Sequence, residues 1–181
     1  RVLFRSWLFD KGCPIVILAC NTASAKALRS IQQKDLPGKF PGKKVLGVIR
    51  PTSEIVGSFS KSGHIGIMGT VGTVQSGSYL IEIEKFFPGS AVTQEACPMW
   101  VPLVENNDQD SEGANFFIRR NIESLLQKDP AIDTILLACT HYPLLMKKIR
   151  QFTPDTVSII DQGEIVAASL EEDRKSTRLN S

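Results

Sequence analysis

Thr134-Ile135-Leu136-Leu137-Ala138-Cys139-Thr140-His141-Tyr142-Pro143 is an apolar run that ends on a thiol and then turns polar. The same order occurs earlier, in Ile15-Val16-Ile17-Leu18-Ala19-Cys20-Asn21-Thr22-Ala23-Ser24. Both runs are short and aliphatic, which predicts buried strands, and both lead into helix-like segments. A cysteine at such a strand end meets the backbone N–H groups of the next helix, where a thiolate is electrostatically favoured. One cysteine after an apolar strand is more often a small buried hydrophobe than a catalyst. Two in matching settings, each followed by a threonine-containing turn, imply chemistry from two sides of one substrate.

Outward from these runs, strands alternate with helices. A helix is expected from Asn21 to about Gln33, with Ala23, Ala27, Leu28 and Ile31 on its apolar face. Breakers mark a loop from Leu36 to Gly42, and Val45–Ile49 reads as a second buried strand followed by a helix from Pro51 to about Ser60. Ile65–Met68 is a third strand. It runs into Gly69-Thr70-Val71-Gly72-Thr73 and a helix from Val74 to Phe86, stopped by Pro88-Gly89. Ala91–Gln94 is a fourth strand, and Pro98 and Pro102 bracket an apolar turn that would wall a pocket. The amphipathic stretch from Gly113 to Lys128 is expected to bury Phe116, Phe117, Ile118, Ile122, Leu125 and Leu126. Pro143 falls in the first turn of a helix reaching Phe152, Val157–Ile160 is the last strand, and a helix from Glu164 breaks off after Glu171-Glu172-Asp173. The pattern predicts an α/β fold with mainly parallel sheets flanked by helices, whose ligand lies at the C-terminal strand ends, where both thiols are.

The 181 residues, 42% of them hydrophobic, suffice for one sizeable core or two small domains. No apolar run approaches the roughly 20 residues of a membrane span, and the start lacks signal-peptide organisation, so the reading is a cytoplasmic protein with no membrane partner. Four cysteines and two histidines have none of the spacings of zinc modules, so no metal is expected and all four thiols are read as free. Cys97 precedes a proline and lacks the strand-to-helix setting, so it reads as packing, and His64, beside Gly63 at a strand start, reads as structural.

Residues 1–6 and 174–181 fit neither neighbouring pattern and read as non-native tails. They hold 5 of the 21 basic residues and none of the 19 acidic ones; without them 16 basic face 19 acidic residues, and the net charge moves from +2 to −3. That removes any composition argument for nucleic acid. The turn at Gly69–Thr73 lacks the third glycine of a dinucleotide fingerprint. It is read either as a carboxylate site built from Thr70, Thr73 and helix amides or as plain helix capping.

Several motifs, in order, resemble the glutamate racemases of the cofactor-independent aspartate/glutamate racemase superfamily. They are Ala19-Cys20-Asn21-Thr22-Ala23-Ser24-Ala25, Gly47-Val48-Ile49, Gly69-Thr70 with Thr73, Ala96-Cys97-Pro98, Val101-Pro102-Leu103-Val104-Glu105 and Cys139-Thr140-His141-Tyr142-Pro143-Leu144-Leu145. The resemblance covers about Trp7 to Asp173. The family's Phe-Asp-Ser-Gly-Val-Gly-Gly and Tyr-Gly segments would precede Trp7, so the chain is expected to lack the first part of its first domain; Phe9-Asp10-Lys11-Gly12 is a decoy for the former.

The resemblance implies two pseudo-symmetric domains with the active site at their interface: 1–52 with 160–173 on the Cys20 side, joined by the last strand and helix, and 53–159 on the Cys139 side. It implies racemisation without a cofactor, Cys20 and Cys139 exchanging the roles of base and acid. Asn21, Thr22, Thr70, Thr73, Thr140 and His141 would bind substrate, and Glu105 would help to orient the substrate ammonium or His141. A Schiff-base route would need a lysine in an apolar pocket, and the lysines fall mainly in loops and on polar helix faces. The implied product is D-glutamate for peptidoglycan, the implied partner is the small molecule glutamate, and a homodimer is compatible with the reading. The alternatives are an aspartate or other amino-acid racemase, disfavoured by His141, and a non-catalytic racemase-fold protein that binds a partner, disfavoured by the paired cysteines.

Overall fold

The computed structural model describes residues 7–179, with side chains to 172; the tail at 1–6 lies outside the described residues. Two parallel sheets form. The smaller pairs β1 (Ile15–Leu18) with β2 (Lys44–Gly47), and the larger has the order β4-β3-β5-β6, from β3 (His64–Gly69), β4 (Ala91–Ala96), β5 (Thr134–Ala138) and β6 (Ser158–Ile160). Parallel neighbours require crossovers, which the helices supply.

The larger sheet is covered on both faces, as its near-continuous apolar strands dictate. On one face α5 (Trp100–Glu105), α6 (Glu112–Lys128) and α7 (Met146–Phe152) bury Trp100, Ile118, Ile122, Leu125 and Ile149 against β3 and β5. On the other, α4 (Ser78–Phe86) sets Tyr79 and Ile83 against Ile65, Ile67, Leu136 and Ala138. The smaller sheet packs Val16 and Val45 on Ile31 and Leu36, from the extensions of α1 (Asn21–Ser30), and on Phe9 from the helical turn before β1.

Several expectations change. The helix after Cys20 does not end near Gln33: it widens into a π-helical stretch at Ile31–Asp35 and closes with a helical turn at Leu36–Lys39, where a loop was expected. Pro37 is tolerated because it lies in the first turn of that segment, where its missing N–H is no loss. The segment after β2 divides into α2 (Ile49–Ser53) and a 3-10 turn at Val56–Phe59. The helix expected over Val74–Phe86 is two, α3 (Val71–Gln75) and α4, because Gly77 adopts φ 63° between them.

Phe116 is not core but 51% exposed, and Phe117 is only partly buried. At 100° per residue, three consecutive apolar positions cannot share a face, and Ile118 takes the buried one. Likewise Ile15 and Ile17 of β1 are 40% and 43% exposed, since the smaller sheet is covered by α1 on one side. The last strand, expected with the Cys20 domain, pairs with β5 of the larger sheet. Finally, α8 (Gly163–Leu179) does not stop at Asp173.

Candidate active site

β1 and β5 deliver their thiols to turns that open helical segments. Cys20 is the N-cap of α1, with extended backbone (φ −81°, ψ 125°) and an exposed side chain. Cys139 follows β5 and is 8% exposed. Burial pushes the Cys139 thiol up; the N–H groups of His141 and Tyr142 pull it back, and charge on Cys20 pushes it up again. The two thiols are thus within electrostatic reach of each other, and the helix amides foreseen beside them address Cys139.

His141 stands between Cys139 and a carboxylate. Its Nδ1 is 3.9 Å from the Cys139 sulfur and its Nε2 is 2.9 Å from Oε1 of Glu105, at the end of α5. The helix that the proline-bracketed segment enters thus ends on a contact with His141. A carboxylate on Nε2 fixes the orientation of the ring and leaves Nδ1 to deal with the thiol proton. Thr140 is exposed between Cys139 and His141.

Three of the threonines come together. Thr22 Oγ1 lies 2.8 Å from Thr70 Oγ1 and 3.1 Å from Thr73 Oγ1, and Thr70 and Thr73 are 3.1 Å apart. Thr70 caps α3, accepting from the N–H of Thr73 at 3.2 Å, so the capping reading of this turn is realised. The hydroxyls, drawn from both sheets' ends, also form a polar cluster of the kind a carboxylate uses. Gly72 permits it: a β-carbon there would come within 2.9 Å of the Thr22 methyl.

Asn21 is placed differently from the rest. It is 2% exposed, and both ends of its amide are engaged inside the protein, with Gln162 and Tyr79. Tyr79, Gln162 and Thr52, which bonds to Gln162, were missed in the sequence. Residues 52, 79 and 162 share no spacing that would have linked them to residue 21; the one hint was a glutamine in the turn after the last strand.

All four cysteines are free, and Cys97 is 1% exposed in the core, its thiol lifted well above the ordinary range by burial and by charge on Glu95 and Cys139. Among the described residues no cluster of three His, Cys, Asp or Glu could hold a metal ion, and no helix is long and apolar enough to cross a membrane. A groove of about 880 Å³, lined by Ile17, Leu28, Leu46, Arg50 and Ile81 among others, opens beside the smaller sheet; neither thiol lines it.

Comparison with known proteins matches this geometry to one family. The family described as Asp/Glu/Hydantoin racemase matches residues 4–170. A glutamate racemase from Persephonella marina is 37% identical over 177 residues, 97% of this chain and 63% of the relative. One from Geobacter metallireducens is 35% identical over 168 residues, 92% of this chain and 59% of the relative. The crystal structure of glutamate racemase isoform RacE1 from Bacillus anthracis superimposes with a TM-score of 0.84 at 31% identity, over 97% of this chain and 64% of that one. The chain thus spans less than two thirds of the length of these relatives.

Proposed function

Since this chain belongs to the Asp/Glu/hydantoin racemase family, we propose that it interconverts L- and D-glutamate by proton transfer between two thiols, without a cofactor. The observation that carries the reading is the pairing of Cys20 and Cys139 at equivalent strand ends, close enough for charge on one to be felt by the other. Inversion at the α-carbon needs a base on one face and an acid on the other. Cys139, held protonated by burial, starts as the acid and donates its proton to the carbanion. Cys20, exposed at the mouth of α1, starts as the base and takes the α-proton onto sulfur. After one turnover the two have exchanged states, and the reverse reaction uses them in the opposite order.

The hydroxyls of Thr22, Thr70 and Thr73 hold a substrate carboxylate, with Thr140 at the Cys139 side. His141, oriented by Glu105, shares the Cys139 proton. Asn21 acts from behind the site, through the backbone of the first turn of α1. The halves 1–52 with 160–173 and 53–159 carry one thiol each, and the substrate sits in the seam. The product would serve as the D-glutamate of peptidoglycan, made in the cytoplasm.

Circular dichroism of free amino acids tests the substrate. Loss of the L-glutamate signal, with L-aspartate unchanged, is the expected result. Loss with aspartate alone would replace the substrate assignment, and a folded protein inert to both would contradict the activity.

A further inference from the structure

Behind Cys20, four polar side chains from distant parts of the chain close on one another. Asn21 Nδ2 donates to Gln162 Oε1 at 2.6 Å, Gln162 Nε2 donates to the Tyr79 hydroxyl, and that hydroxyl donates to Asn21 Oδ1 at 2.6 Å. The three bonds run in one direction round a ring. Gln162 Nε2 also donates to Thr52 Oγ1 at 3.1 Å. Tyr79 and Thr52 are 0% exposed, Asn21 2% and Gln162 8%. Burying polar groups is costly unless they are bonded, and a fully bonded network in a low dielectric holds one geometry.

The members come from four elements. Asn21 opens α1 directly after Cys20, Thr52 is in α2, Tyr79 is in α4 and Gln162 is in the turn between β6 and α8. The ring therefore ties the Cys20 turn of the smaller sheet to a helix and a strand end of the sheet that carries Cys139. Tyr79 also packs in the cluster that holds Ala138, the residue before Cys139, so the ring reaches from the Cys20 turn to the strand end that carries the second thiol. Cys20 itself makes no side-chain capping bond to α1. Its setting is inherited from the residue that follows it.

We propose that Gln162 and Tyr79 are positioning residues for Cys20: by locking Asn21 they hold the first turn of α1 with its free N–H groups open to the Cys20 sulfur. Their role in turnover rests on the two-thiol reading above, but their effect on Cys20 does not.

The test is the rate of alkylation by iodoacetamide, read for each cysteine separately by mass spectrometry, in this chain and in Gln162→Met and Tyr79→Phe. Tyr79→Phe keeps the packing and removes one oxygen, so it serves if Gln162→Met does not fold. Released from the ring, the N–H groups turn away and Cys20 reacts about two- to fivefold more slowly, while buried Cys97 stays protected. A Cys20 rate that is unchanged or faster in the folded variants overturns the proposal, as does parallel acceleration of Cys97, the mark of general loosening. If the parent chain racemises glutamate, the variants lower kcat with little change in KM. A folded parent without turnover counts against the racemase reading, and the alkylation rates still decide the ring.

Discussion

The hydroxyl oxygens of Thr22 and Thr70 stand 2.8 Å apart although one follows β1 and the other β3. The contact joins the ends of the two sheets in one polar cluster and makes Thr22 a probe of substrate binding separate from capping, which belongs to Thr70. Thr22→Val keeps the shape and removes the hydroxyl. A hydrogen bond to a charged group contributes about 1.5–3 kcal/mol, so KM for glutamate should rise roughly tenfold or more with a smaller change in kcat. Steady-state kinetics with an unchanged KM would remove Thr22 from the binding site.

His141 and Glu105 form a pair whose carboxylate side chain is 61% exposed. Exposed pairs contribute about 0–1 kcal/mol, so Glu105→Gln should slow turnover by less than about fivefold. His141→Ala removes the group facing Cys139 and should cost about 10²-fold or more. Initial rates from both enantiomers measure this; undiminished rates for His141→Ala in both directions would end its assignment.

Burial and the charge of Cys20 raise the Cys139 thiol, against the pull of the His141 and Tyr142 N–H groups. Raised means protonated at neutral pH, so alkylation of Cys139 should climb only above the ordinary thiol range of about pH 8.5. Cys20→Ser removes the neighbouring charge and should move that climb to lower pH, though not fully, since burial persists. An unmoved profile would show that the two sulfurs do not sense each other.

Asp133 fastens the turn before β3. Its carboxylate accepts from Ser60 Oγ at 2.6 Å, from the N–H groups of Lys61 and Ser62 at 2.7 Å each, and from Thr134 Oγ1 at 3.0 Å. Burial alone would raise it, but these bonds prevail and hold it well below the usual carboxylate range. The stability it contributes is therefore present above about pH 4 and lost as pH falls below that. Asp133→Asn should cost on the order of 2 kcal/mol and lower the melting temperature by roughly 4–8 °C at neutral pH. Thermal melts at neutral and acid pH should converge for the variant and the parent; a difference that persists at acid pH would contradict the argument.

What the sequence disclosed follows from which interactions are local. Strand ends tipped with Cys20 and Cys139, the cap at Thr70 and the parallel sheets are written in runs of four to ten residues. The break at Gly77 was passed over, although Ser76-Gly77-Ser78 is a breaker inside a helical pattern. The ring of Asn21, Tyr79 and Gln162 was not legible, since its members are brought together only by packing. Asn21, read from its place beside Cys20 as a substrate ligand, has its amide bonded on both sides within that ring. Phe116 misled because apolar composition was taken for an apolar face.

The two-thiol reading is tested most directly by incubating the chain with L-glutamate in heavy water and following the α-position of both enantiomers at early conversion by NMR after chiral separation. Two thiols on opposite faces predict D-glutamate carrying deuterium while the remaining L-glutamate keeps its protium. D-Glutamate that retains the protium would mean a single base returning the same proton, and a folded chain that produces neither exchange nor inversion would contradict the account.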